Sequence, residues 1–298
     1  MRNLGPVLAV TAALIALWYI AVIPMNQQWA QDQARRAGQD LGFAALVADT
    51  MSQQRPRLPA PHQVAAELWN STVVEELTGR RGIVNTGSLS NRSLIYHGWV
   101  TLSATLLGFA IGSVLGISLA IGIVHNRAMD ASIMPWAIAS QTIPILAIAP
   151  MIIVVLNAVG ITGLVPKAII STYLSFFPVV VGMVKGLRAP DHMQLDLMKT
   201  YYASGPQVLV KLRLPSSMPY LFASLKVAIA AALVGAIVAE LPTGAVAGLG
   251  ARLLSGSYYG QTVQIWSALF AAAILAASMV ALISILQRVT LKRMGMAT

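Results

Sequence analysis

The sequence contains no cysteine. Disulfides, zinc–thiolate sites and cysteine nucleophiles are thereby excluded, and the redox compartment is left open. Charge is scarce as well. Asp, Glu, Lys and Arg make up 10% of the chain against 57% hydrophobic residues, whereas a soluble globular domain carries about 25% charged residues. So few charges cannot coat a water-facing surface. With a mean hydropathy of +0.71, the chain reads as an integral membrane protein. Acids are the scarcer sign, 10 against 20 basic residues, for a net charge of +10. That excess does not indicate nucleic acid, because the basic residues are scattered between apolar runs, as they are at the ends of membrane helices. Catalytic signatures are missing too. There is no GxxxxGK[ST] phosphate loop, HExxH or GxSxG. The histidines His62, His97, His125 and His192 lack metal-ligand spacing. The chain is expected to be no enzyme and to hold no metal or cofactor of its own.

What is present is a series of long uncharged runs. A membrane helix needs about 20 mostly apolar residues. The 298 residues could hold two soluble domains, but the hydrophobic spacing argues for one membrane domain. Pro6–Met25 reads as the first span. It is longer than the apolar core of a signal peptide, so residues 1–25 are expected to be a retained anchor. Residues 26–95 carry seven arginines and six acids and read as an extramembrane segment. An amphipathic helix is expected over Gln28–Ala48, an extended proline-stiffened stretch over Arg55–Pro61 and another short helix over Gln63–Asn70. Further spans are expected at Trp99–Val124, Met134–Leu156, Leu164–Val184, Met218–Leu241 and Val263–Leu286. Residues 96–290 thus form a five-span core, followed by a tail at 291–298. The fold class is all-α, with about six transmembrane helices.

Six spans put both termini on one side. Arg2, Arg127, Lys185, Arg188, Lys199, Lys211, Arg213, Arg288, Lys292 and Arg293 fall on that side, which the positive-inside rule makes cytoplasmic. The polar stretch 187–214 is then cytoplasmic. Residues 26–95 and the glycine-rich loop Thr243–Gly260 face outward.

Several residues stand out within this plan. Gly108, Gly112 and Gly116 share one helix face at a spacing of four, which suits close backbone packing in the bundle or across a dimer; lining a pore is the alternative. Gln141, Thr142 and Pro144, with Pro150, interrupt span three. They mark either kinked packing or a solute path lined by polar groups. Glu240 sits at the outer end of span five beside Pro242, where an ionisable residue calls for a protein or water environment. It reads as a gate or loop anchor. Asp196–Gln207 reads as a short helix on the membrane surface, placed to dock a soluble partner.

This cytoplasmic stretch resembles the signature of binding-protein-dependent ABC importer permeases, E-A-A, three residues, G, nine residues, I-x-L-P. Asp196 takes the acidic position, Leu197 and Met198 the two alanines, and Tyr202 the glycine. Ala203-Ser204 match the small pair that follows, and Leu212, Leu214 and Pro215 the end. The stretches 141–150, 176–187, 214–228 and 239–250 resemble the taurine, sulfonate, nitrate and pyrimidine-precursor branch. The resemblance implies a permease subunit for a small polar solute, a pyrimidine or vitamin precursor in the closest wording. It implies a coupling helix bearing Asp196, Lys199, Thr200, Tyr202, Ala203, Ser204 and Gln207, with Pro215 at re-entry. It also implies a second permease copy, a pair of ATP-binding subunits carrying ATP and Mg, and an extracytoplasmic solute-binding protein, within a bacterial inner membrane. A stand-alone secondary transporter is the competing class. It would need more intramembrane carboxylates than Glu240 supplies.

Overall fold

The computed structural model describes residues 4–38, 42–241 and 245–296, and every regular element among them is helical. The principal helices are α1 (Leu4–Arg36), α2 (Phe43–Ser52), α3 (Pro61–Trp69), α4 (Leu94–His125), α5 (Arg127–Ser140), α6 (Ile145–Ala158), α7 (Leu164–Leu187), α8 (His192–Thr200), α9 (Leu214–Glu240), α10 (Leu249–Tyr258) and α11 (Thr262–Arg293). Five are long and apolar enough to cross a membrane: α1, α4, α7, α9 with its lead-in from Gly205, and α11. The pair α5 and α6 makes a sixth when taken together as one span, with a bend of 96° between the two helices. Helices suit uncharged runs in lipid because each satisfies its own backbone.

Five expected elements are corrected. The first helix does not stop at Met25 but runs to Arg36. Residues 26–36 are rich in Gln, Ala and Arg, which sustain a helix, and Gly38, at φ +66°, lies just past its end. The expected helix Gln28–Ala48 therefore does not form as one element; α2 starts afresh at Phe43. Span three is not one helix over Met134–Leu156. Pro144 disfavours helical backbone at Ile143 and itself takes an extended conformation as the N-cap of α6. The helix expected over Asp196–Gln207 is α8, which ends at Thr200, and a second helical run opens at Gly205. Span five consequently begins earlier than Met218. Gly205–Val208 passes through a wider π turn, Leu209–Arg213, into α9. Pro215 explains the widening: its ring would crowd the carbonyl of Lys211 in a regular turn. Pro242 and Thr243, like Arg2, Ala297 and Thr298, lie outside the described residues.

The chain divides into two compact units, Met1–Gly98 with Ala251–Ala272, and Trp99–Gly250 with Ala273–Thr298. In the first, Asn26 is 1% exposed and clasps the backbone that follows α2. Its amide donates to the Leu58 carbonyl at 2.8 Å and accepts from the Leu58 N–H at 3.1 Å. The proline-rich stretch is also held by the Trp18 Nε1 donating to the Pro59 carbonyl at 3.0 Å and by Thr262 donating to that of Pro56. The Trp18 ring lies 4.9 Å from Trp266 and 5.7 Å from Phe270. Near α3, burial pushes the Glu67 carboxyl up, and the Arg252 charge offsets part of that rise.

In the second unit α7 packs through small residues on two sides. A Cβ added to Gly108, Gly112 or Gly116 of α4 would lie 2.3 Å from the Ser171 Cβ, 2.2 Å from the Ser175 Oγ and 2.8 Å from the Val179 Cβ. The glycine face of α4 is therefore spent on α7 within this chain. Towards α9, a Cβ on Gly182 would meet Ser224 at 2.4 Å, and one on Gly235 would meet the Ser171 Cα at 2.8 Å. The Ser171 Oγ donates to the Ala232 carbonyl at 2.9 Å. Close backbone approach replaces the hydrophobic drive that is absent between helices in lipid. Larger side chains fill the remaining gaps, with Ile123, Val180, Met183 and Leu187 in one cluster and Ile229, Leu233, Met279 and Ile283 in another.

Candidate functional site

The second unit places its functional candidates at the two ends of α9 and at the break between α5 and α6. At the far end of α9, Glu240 is 0% exposed. Its Oε1 accepts from the Lys167 Nζ at 3.1 Å. Its Oε2 accepts from the Thr101 Oγ1 at 2.8 Å and from the Gly250 N–H at 3.0 Å. Lys167, in the first turn of α7, also donates to the Ala247 carbonyl at 2.9 Å. Thr101 accepts from the Leu249 N–H at 2.9 Å. A buried ion pair is tolerated only when the remaining lone pairs and protons are matched. Here the backbone of 247–250 supplies much of that match, so the carboxylate and the loop hold each other. Gly248 has φ +128°, and a Cβ there would lie 2.0 Å from the Glu240 Cδ. Only glycine lets the loop descend onto the carboxylate.

At the near end of α9 the charges face outward. Asp191 N-caps α8, accepting from the Gln194 N–H at 2.7 Å, while Gln194 accepts from the Asp191 N–H at 3.2 Å. This is a reciprocal capping box. Asp196 and Lys199 pair at 2.9 Å with side chains 65% and 78% exposed. That hydrogen bond, with the Lys199 charge, holds the Asp196 carboxyl below its usual range. The Thr200 Oγ1 donates to the Asp196 carbonyl at 3.0 Å.

The helix ends on Tyr202, whose φ of 50° is left-handed. The Tyr202 N–H donates to the Lys199 carbonyl at 2.8 Å and the Ala203 N–H to that of Met198 at 3.0 Å. Both bonds belong to a Schellman end, normally closed by glycine. Tyr202 thus takes the left-handed conformation that glycine adopts most readily. Ser204 then caps the next helical run, its N–H bonded to the Gln207 Oε1 at 2.8 Å. Met193 and Tyr202 are 82% and 96% exposed. Pro215 stands half-buried in the first turn of α9.

Gln141, Thr142 and Pro144 all sit exposed at the break between α5 and α6. The Thr142 Oγ1 is turned back to the Ala139 carbonyl at 2.8 Å. Glu240, expected as a gate or loop anchor, is closed among its own partners, whereas Gln141, Thr142 and Pro144 are open to the surface. Sequence reasoning missed Lys167 and Thr101 as its partners. Lys167 carries a usable signal, a lone cation in the longest uncharged stretch after the first span, but Thr101 and Gly248 carry none without the fold. Sequence reasoning also missed the capping pair Asp191 and Gln194, for which the three-residue spacing is a usable signal.

Residues 112–296 match the family model described as "Binding-protein-dependent transport system inner membrane component". The chain is 32% identical over 173 residues to a probable ABC transporter permease protein of Haemophilus influenzae, covering 58% of this chain and 69% of that one. It is 31% identical over 168 residues to a formylaminopyrimidine transport permease protein of Halalkalibacterium halodurans, covering 56% and 65%. It is 29% identical over 238 residues to a riboflavin transport system permease protein of Chloroflexus aurantiacus, covering 79% and 80%.

Proposed function

Because this chain belongs to the family of binding-protein-dependent transport system inner membrane components, we propose that it forms the solute path of an ATP-driven importer for a small nitrogen heterocycle of the vitamin-precursor kind. It is a multi-pass membrane protein of that family. The observation that carries the reading is α8. It lies within the matched region 112–296, between two membrane helices, and exposes Met193 and Leu197, with Tyr202 exposed just past its end. A short capped helix with an apolar, water-facing surface suits a groove on a soluble ATP-binding subunit. That subunit supplies ATP and Mg, and this chain supplies none of the hydrolytic chemistry.

The mechanism follows as population shift. ATP binds one arrangement of the partner subunits better than the other, and can bias the spans only by that difference. α8, held at its start by Asp191 and at its end by Tyr202, moves as a rigid piece with the partner. After the Tyr202 turn, the run that opens at Gly205 leads into α9, which spans 27 residues, roughly 40 Å at 1.5 Å per residue, to the Glu240 corner. Glu240 acts on the path through the 247–250 loop it anchors. Gln141 and Thr142 offer hydrogen bonds to a polar solute at the α5–α6 break. A second copy of the chain completes the path, and an extracytoplasmic binding protein delivers solute to the end that bears Glu240. Orientation follows the basic residues: those of 185–213 lie around α8, on the cytoplasmic side.

The heterocycle preference is supported by the formylaminopyrimidine and riboflavin relatives. Relatives named for aliphatic sulfonates in Bacillus subtilis and bicarbonate in Synechococcus elongatus are less similar, at 23% and 24% identity. Purification from native membranes in mild detergent tests the importer reading, with a stoichiometric ATP-binding subunit expected. A chain that arrives without one and still moves solute in vesicles overturns it. ATP-loaded vesicles offered labelled formylaminopyrimidine, riboflavin and taurine then test the solute class. Uptake of taurine alone overturns the heterocycle reading.

A further inference from the structure

The corner that closes α7, residues 187–191, serves as a junction for three other elements. The Leu187 carbonyl accepts from the Arg213 Nη1 at 3.1 Å, which ties in the π turn that leads into α9. The Arg188 Nη2 donates to the Asp130 Oδ2 at 2.7 Å, which ties in the first turn of α5. Asp191, three residues on, caps α8. The Asp130–Arg188 pair is also placed well for the helix dipoles, an acid near the N-terminus of α5 and a cation at the C-terminus of α7. Its side chains are 38% and 47% exposed, so its contribution to stability is small. At this end α5 is otherwise held to α4, through the one-residue link Asn126 and the Met129 side chain against Gly122, while Ile133 and Met134 behind them are partly buried, so the Arg188 pair is its polar tie to the α7–α8 corner.

We propose that Arg188 is a positioning residue that fastens α5 to the α7–α8 corner, so that displacement of α8 is delivered to the broken α5–α6 span and to Gln141–Pro144 at its bend. The inference rests on the importer reading above. It assigns to one guanidinium the link between the docking helix and the span that breaks. Without it α8 still moves, but α5 no longer follows.

The absence of native cysteine makes the test direct. Spin labels at Ser132→Cys on α5 and His192→Cys on α8 report their separation by pulsed electron resonance. The sample is the complex purified with its ATP-binding subunit, nucleotide-free and again with ATP, Mg and vanadate. The native pair is expected to give a narrow distribution whose mean stays put on trapping. Arg188→Ala is expected to broaden it, Asp130→Asn to broaden it equally, and the double variant to be no broader than either alone, all with unchanged melting temperature. Such non-additivity marks one shared interaction. An Arg188→Ala distribution as narrow as the native one overturns the proposal, as does a double variant whose broadening is the sum of the two. Failure of the importer reading shows separately, as a missing ATP-binding subunit or no trapped nucleotide, and leaves the nucleotide-free widths to judge the fastening.

Discussion

The two ends of α9 handle charge in opposite ways. At Glu240 the carboxylate is fully buried, and three donors from three different segments converge on it. At α8 the Asp196–Lys199 pair stands in water on one helix. A buried charge holds its surroundings because every alternative leaves something unsatisfied, whereas a solvated pair within one helix ties down no second segment. The first end is therefore built to stay closed unless all of its bonds are exchanged together. The second is built to be touched by another molecule.

Substitutions break this contrast in graded steps. Lys167→Met leaves the Glu240 carboxylate buried without its counter-ion, at a cost of about 3–5 kcal/mol, and a marked fall in the melting temperature in detergent is expected. A variant that melts like the native chain would show that the corner opens to water. Gly248→Ala should unseat the 247–250 loop at a cost of a few kcal/mol, because the strained φ and the clash with Glu240 act together. Faster protease cleavage in that loop, with α8 unaffected, is the expected reading. Tyr202→Gly should stabilise the end of α8 by about 1 kcal/mol, since a left-handed tyrosine is relieved. Slower amide exchange at Ala203 would report it.

Asp196→Asn should leave the melting temperature unchanged, because its pair is solvated. The Asp196 carboxyl is held low by Lys199. Whatever the pair contributes is thus present above the ordinary carboxylate range and lost only as pH falls through that lowered value. Acidification from pH 7 to about 5 should leave α8 as it is; loss of its amide protection in that window would contradict the assignment.

The membrane class, the approximate span count and the helical stretches could be read from the sequence because uncharged length is a one-dimensional property. The glycine face of Gly108, Gly112 and Gly116 was visible for the same reason, though only the structure showed that α7 meets it. What eluded the sequence depends on contacts remote in the chain. Thr101 and Glu240 are 139 residues apart and Lys167 and Glu240 73, and no local pattern joins them. The division of the expected 196–207 helix turns on a single dihedral, that of Tyr202, a residue type that does not advertise a left-handed position. The break at Gln141–Pro144 was half legible: the proline was seen, but a bend of 96° exceeds what a kink within a continuous helix implies.

The π turn at Leu209–Arg213 has an evolutionary reading. A ring closed five residues along rather than four holds one surplus residue, stored without turning the helix that follows out of phase. Removing one residue there, with Pro215 replaced so that its ring no longer opposes a regular turn, lets the turn tighten while the faces of α9 keep their directions. Removing one anywhere later in α9 rotates everything beyond it by roughly 100°, swinging Gly235 away from Ser171 and Glu240 away from Lys167. This short segment is thus where the lineage could lengthen or shorten the connection to α8 by one residue without rewriting the bundle.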